Sequence, residues 1–179
     1  MFTKLSIKQT LKRINELKNL QTKLLDEFYW QCYLRFVEYC RTYLYASTIG
    51  EDVKNEIANG WQYERLKTKA KFVNKTEKAV YVEFGVGDVG MKLPHENAKK
   101  LGNDYKYNIG TKIKDDNTWI FNVSDDNDID IQQNFIVNRT EHTVMTKGSP
   151  AVMYAYNALV DLTNDAPKIW QEVERKYWG

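Results

Sequence analysis

The sequence predicts an α+β domain, with a small antiparallel sheet of four or five strands packed with a long N-terminal helix and a C-terminal helix. Three observations carry that expectation. Apolar residues recur at helical spacing across residues 6–48. The period then shifts toward two, with β-branched and aromatic runs between 64 and 146, and helical spacing returns after Pro150. At 179 residues with 42% hydrophobic content, the chain can bury one sizeable core, so a single domain over 1–179 is expected.

The N-terminal element rests on Ile7, Leu11, Ile14, Leu17, Leu24, Phe28, Cys32, Phe36, Cys40 and Leu44, which lie three, four or seven apart. Unbroken, residues 6–48 would make a rod of roughly 60 Å, whereas a compact chain of this length has a radius of gyration of about 16 Å. The helix therefore either breaks near Lys18 and Asn19 or projects. A projecting apolar stripe implies a partner chain. After Gly50, residues 51–59 read as a short helix ended by Gly60.

Residues 64–74 alternate, with Lys67, Lys69 and Lys71 on one side and Leu66, Thr68, Ala70 and Phe72 on the other, as in a half-solvated strand. Residues 79–84 read as a second strand, paired antiparallel with the first through a hairpin at 74–78. Residues 85–117 are rich in glycine and weakly periodic, so 88–117 reads as an inserted loop. Strands are expected at 118–123, 135–137 and 140–146, with an acidic turn at 125–130. Ser149 and Pro150 read as the N-cap and first residue of the last helix. Its stripe is Val152, Met153, Tyr156, Leu159 and Val160. Pro167 marks a kink or a new helix from Asp165, with Ile169, Trp170, Val173 and Tyr177 continuing the spacing.

Composition excludes several functions. Lys and Arg number 26 against 24 Asp and Glu, for a net charge of +2, which does not describe a strongly basic nucleic-acid binder. No window approaches the roughly 18 uninterrupted apolar residues of a membrane span, and the first twelve residues lack the apolar stretch of a secretory signal. The expectation is a soluble product that meets no membrane. Cys32 and Cys40, eight apart on a helix, are separated by roughly 12 Å, beyond the ~7 Å reach of a disulfide. They read as core thiols. His95 and His142 sit in no metal-ligand spacing, and no cofactor is expected.

Some motifs invite a sharper reading. The string from Gly85 through Gly87 to Gly90 matches G-x-G-x-x-G, but a dinucleotide site needs a full helix immediately after the glycines, and Pro94 follows too soon. A nucleotide-dependent oxidoreductase rests on that string alone. Asp125, Asp126, Asp128 and Asp130 resemble a calcium loop, yet Ile131 and Val137 occupy the positions that require Gly and Glu. Lys67, Lys69 and Lys71 are candidates for phosphate contacts, though a solubilising edge strand suits them better. Glu83 sits in an otherwise apolar segment and is expected to face outward rather than pair with a base. No nucleophile context is recognisable, so no enzyme is expected.

Charge is segregated along the chain. Lys4, Lys8, Lys12, Arg13, Lys18 and Lys23 face Glu16 alone in the first 25 residues, while Asp115, Asp116, Asp125, Asp126, Asp128 and Asp130 face no base. Complementary patches of this kind suit neighbouring copies joined head to tail.

Two segments carry a resemblance. Ala79-Val80-Tyr81-Val82-Glu83-Phe84-Gly85-Val86-Gly87 resembles the A-x-Y-V-E-F-G-T-G stretch of the phage neck and tail-completion (head–tail joining) family, of the type of gene product ten of HK-type lambdoid phages and gpZ of lambda. Thr146-Lys147-Gly148-Ser149-Pro150-Ala151, followed by Tyr156, Ala158 and Leu159, resembles that family's T-K-G-Q-P-A approach to a C-terminal helix. Trp61 and the stretch Phe72-Val73-Asn74 also fall where the family has similar residues. Val86 stands where the family has Thr, Ser149 where it has Gln, and Met153-Tyr154 where it has Pro-Phe; about half the chain is covered.

The resemblance implies a non-enzymatic virion protein that forms a homo-oligomeric ring at the neck. Its partners would be head-completion or connector proteins and the tail terminator or tail tube, with DNA passing through the lumen. The segment 81–84 would lie in the central sheet, with Gly85 and Gly87 allowing a sharp exit. A tail terminator ring protein and a small nucleic-acid-binding module are the alternatives.

Overall fold

The computed structural model describes residues 7–92, His95, 111–113, 118–122, 136–139, 143–146 and 148–178. The backbone of the domain is a pair of helices. Helix α1 (Ile7–Ala46) runs unbroken for 40 residues, and α5 (Tyr154–Trp178) lies antiparallel along it. Leu24 and Phe28 of α1 meet the Trp170 end of α5, whereas Tyr39 and Tyr43 meet Asp165 and Asp161 nearer its start. Of the two fates open to a rod this long, projection is the one adopted. Residues 8–19 are exposed throughout, and burial begins at Leu24.

The core lies between α1, α5 and α2 (Glu51–Asn59). Cys32, Phe36, Cys40 and Leu44 recur four apart on α1 and pack with Ile57, Ala58, Ala79, Tyr154, Ala158, Leu162 and Ile169. Both cysteines are free and buried, and burial pushes the Cys32 thiol up to about 11 and Cys40 higher still, which makes them inert core groups. Gly60 closes α2 because a Cβ there would stand 2.1 Å from Thr76 Oγ1 and 2.6 Å from Asn74 Oδ1. Asn74 in turn donates its side-chain N–H to the Ile57 carbonyl at 2.7 Å, tying the next strand to the helix end.

The single sheet of four or five strands expected against the helices is replaced by a different arrangement. A two-stranded antiparallel ribbon, β1 (Trp61–Arg65) and β2 (Ala70–Asn74), is what packs beside α1. Residues 64–74 are therefore not one strand. They turn back on themselves at 66–69, where the Leu66 N–H donates to the Lys69 carbonyl at 2.8 Å and the Arg65 guanidinium to the same oxygen at 3.0 Å. Trp61, Tyr63 and Phe72 face Phe36, Tyr33 and Trp30 of α1, which is why the ribbon's inner face is aromatic. The remaining strands form a separate four-stranded antiparallel sheet, β3 (Thr111–Ile113), β4 (Thr118–Asn122), β5 (Ile136–Arg139) and β6 (Thr143–Thr146), in the order β3-β4-β6-β5. The acidic turn expected at 125–130 lies outside the described residues.

Residues 79–84 are not a strand either. They belong to helix α3 (Glu77–Phe84), and the expected hairpin at 74–78 is the lead into it. Ala79 and Glu83, four apart, share its buried face, so tertiary burial overrides the β-propensity of Val80, Tyr81 and Val82. A second short helix, α4 (Gly87–Lys92), starts within the segment expected to be loop, and β3 follows further along it. The last helix begins at Tyr154 rather than Pro150, because Ser149 is taken up in the two-residue strand β7 (Gly148–Ser149) and bridges Val86. Pro167 neither ends nor restarts α5, which runs through it.

Candidate functional site

The two resembling segments, some sixty residues apart in sequence, meet in the fold. Helix α3 ends where α5 begins, and the two ends satisfy each other. A helix C-terminus leaves carbonyls without partners and a helix N-terminus leaves N–H groups without partners. Here the Val152 N–H donates to the Val82 carbonyl at 2.9 Å and the Met153 N–H to the Glu83 carbonyl at 3.3 Å. The Asn157 N–H reaches the Met153 carbonyl at 2.9 Å, which makes Met153 the capping position of α5. Methionine has no oxygen with which to cap.

Glu83 does the capping from across the joint. Its Oε2 accepts the Ala155 N–H at 2.8 Å and its Oε1 the Tyr156 N–H at 2.9 Å, the second and third residues of the helix, where a local Ser or Asp would bond. The third contact is His95, whose Nε2 lies 3.1 Å from Glu83 Oε1. Glu83 and His95 are both buried, and the imidazole is walled by Phe84 and Tyr156 at ring separations of 4.6 and 5.2 Å. The outward-facing expectation for Glu83 is thus reversed. The carboxylate is affordable inside because N–H groups and the positive end of a helix dipole surround it. Its charge reaches further: burial, then Glu83, holds the Tyr154 hydroxyl well above the usual phenol range.

Gly85 makes the joint close enough for these contacts. It has φ of +76°, and a Cβ there would stand 2.6 Å from the Ala151 nitrogen and 2.8 Å from both the Pro150 carbonyl carbon and the Ser149 oxygen. Conformation and space both demand glycine. Its N–H returns to the Tyr81 carbonyl at 2.9 Å and ends α3. Val86 then pairs antiparallel with Ser149, and Gly148, at φ of +103°, turns the chain into that bridge.

Tyr81, Val82, Glu83, Phe84, Gly85, Gly148 and Pro150 therefore come together or line the approach. Gly87 opens α4 on the far side of the bridge. Thr146 ends β6, paired with Trp119 and Ile136, and so stands in the four-stranded sheet rather than at the joint. Lys147 lies outside the described residues. The sequence reading missed His95 and the Ala155 and Tyr156 amides. The available signal was Glu83 itself, the one acid within an apolar helical turn.

The G-x-G-x-x-G string does not make a phosphate cradle. It follows a helix rather than a strand, the helix after it has six residues, and the nearby α5 N-terminus is filled by Glu83. Among the described residues, no group of three or more His, Cys, Asp or Glu side chains could hold a metal ion, and no helix is long and apolar enough to cross a membrane. No family model, curated protein or solved structure matches the chain.

Proposed function

We propose that the chain is a structural subunit of the phage head–tail interface, a neck or tail-completion protein that assembles as a ring joining the head connector to the tail. It would be put together in the host cytoplasm and reside in the virion neck, with DNA passing through the lumen. One observation carries the reading: the residues that resemble the family's two motifs form a single joint, in which Val82, Glu83 and Gly85 seat the start of α5. A resemblance by chance has no reason to fall on two distant segments that require each other. The chemistry of the joint is that of a rivet, since the Glu83 carboxylate is committed to two backbone amides and an imidazole. A tail terminator ring is the second reading, supported by the same joint.

Phage particles depleted of the protein test the proposal. The expected result is DNA-filled heads and finished tails that remain separate, with joining restored by adding the purified protein. Joined infectious particles without it overturn the proposal. Gly85→Val should also abolish rings in negative-stain images while the helix pair persists, because the exit toward β7 is misdirected.

A further inference from the structure

The outstanding feature outside the joint is the free-standing end of α1. Helix α5 stops at Trp178, which lines a groove of about 380 Å³ with Leu17, Leu20, Leu24 and Trp170. Beyond that groove α1 continues alone, and residues 7–16 extend roughly 15 Å past the end of its partner. Leu11, Ile14 and Leu17 are 55%, 42% and 60% exposed. With Ile7 they follow the 3–4 spacing that places Leu24, Phe28 and Cys32 against α5 further along, so the uncovered stripe extends the covered one.

The flanks of the stripe select its occupant. Lys8, Lys12, Arg13, Lys18 and Lys23 surround it, and Glu16 reaches Lys12 at 3.9 Å as the one acid among them. Two such ends laid against each other would bring like charges within a Debye length, about 8 Å at physiological ionic strength, which disfavours a symmetric pair. The chain carries the complement elsewhere. Its sequence on either side of β4 holds Asp115, Asp116, Asp125, Asp126, Asp128 and Asp130 and no base. A basic end and an acidic stretch on one chain cannot pair symmetrically, but they can pair with the next copy, and such head-to-tail contacts close into rings when the rotation permits.

We infer that the exposed end of α1, with the groove at its base, is the docking surface for a second copy of this chain, whose acidic stretch around β4 supplies the opposing charge. The inference rests on the ring reading above and names the contact that builds the ring. An apolar stripe with a basic rim serves a protein partner better than a nucleic acid, because phosphate contacts gain nothing from Leu11, Ile14 and Leu17.

Sedimentation velocity of the full-length protein tests it. The wild type is expected to assemble beyond the dimer and to weaken in high salt. Leu11→Asp with Leu17→Asp changes exposed positions, so the circular dichroism melt should hold while the half-assembly concentration rises about tenfold or more. Lys8→Glu, Arg13→Glu and Lys18→Glu together should do the same, as should Asp125→Lys, Asp126→Lys and Asp128→Lys. Mixing the two charge-reversed proteins should restore assembly. Wild-type assembly that both variant classes share unchanged overturns the docking surface and leaves the ring reading standing. A wild type that stays monomeric at every concentration overturns both. Loss by the Leu variants of binding to phosphatidylglycerol vesicles or to duplex DNA, with assembly intact, also overturns it.

Discussion

Replacing Glu83 by Ala removes the cap of α5 and leaves the Ala155 and Tyr156 N–H groups and the His95 ring to find other partners in a buried site. Each buried donor that loses its acceptor costs about 1–3 kcal/mol, and loss of a local N-cap alone costs about 1 kcal/mol. Because the groups share one acceptor these costs overlap, and a total of about 2–5 kcal/mol is expected for Glu83→Ala. For a chain of this size each kcal/mol lowers Tm by about 2–4 °C, so the melt should fall by roughly 5–15 °C. Glu83→Gln keeps the shape and one acceptor oxygen but turns an N–H toward an N–H, and should lose about half as much. Thermal melts by circular dichroism, with urea unfolding to supply ΔG, read both. Amide exchange at Ala155 and Tyr156 should accelerate before that of the Leu162 to Ile169 stretch. Should Glu83→Ala melt within about 2 °C of the wild type, the carboxylate does not hold the joint and the reasoning fails.

Gly85→Ala adds a Cβ at φ of +76° and 2.6 Å from a backbone nitrogen, so it should cost at least about 2 kcal/mol, seen as a lower urea midpoint. The Glu27 carboxylate is held below its usual 4.5 by hydrogen bonds from Lys176 and Gln31. Its stabilisation is present above that value and lost as pH falls through the depressed one. The gap in urea midpoint between wild type and Glu27→Gln should therefore be small at pH 7 and close below about pH 4. The Tyr39 hydroxyl donates to Asp165, which, with burial, pushes it up to about 12. Its stabilisation is complete below the usual 10 and lost as pH rises through the raised value, so the gap to Tyr39→Phe should vanish across that interval in alkaline unfolding. Leu44→Ala empties a fully buried position and should cost about 2–5 kcal/mol.

What the sequence made legible followed from length of pattern. Helix α1 shows its stripe over six turns or more, and α2 is closed by a glycine on schedule, so both were readable. The strands of the four-stranded sheet were found as short β-branched and aromatic runs at 118–123, 135–137 and 140–146. The errors fall where a segment is short and its neighbours decide. Eight residues, Glu77–Phe84, are too few for period to separate helix from strand, and Ala79 and Glu83 reveal their shared face only once α5 is present to bury them. Ser149 and Pro150 offered a local cap, but the cap in use arrives from Glu83. No local rule reports an acceptor some seventy residues away.

Pro167 shows the same competition from the other side. A proline inside a helix removes a hydrogen bond and crowds the turn before it, at a cost of about 3 kcal/mol, which usually ends or bends the element. Helix α5 runs on because each side is pinned to α1 independently. Before the proline, Asp161 and Asp165 accept the hydroxyls of Tyr43 and Tyr39. After it, Trp170 packs edge-on to Phe28 at 5.3 Å and Lys176 pairs with Glu27 at 2.9 Å, with Ile169 and Val173 buried between. With Glu83 fixing the first turn as well, α5 is held at its start, middle and end, and the local penalty is spread over contacts that the helix on its own would lack. The same contacts stop at Trp178, and that is why α1 leaves its apolar stripe uncovered beyond Leu17 rather than anywhere nearer the core.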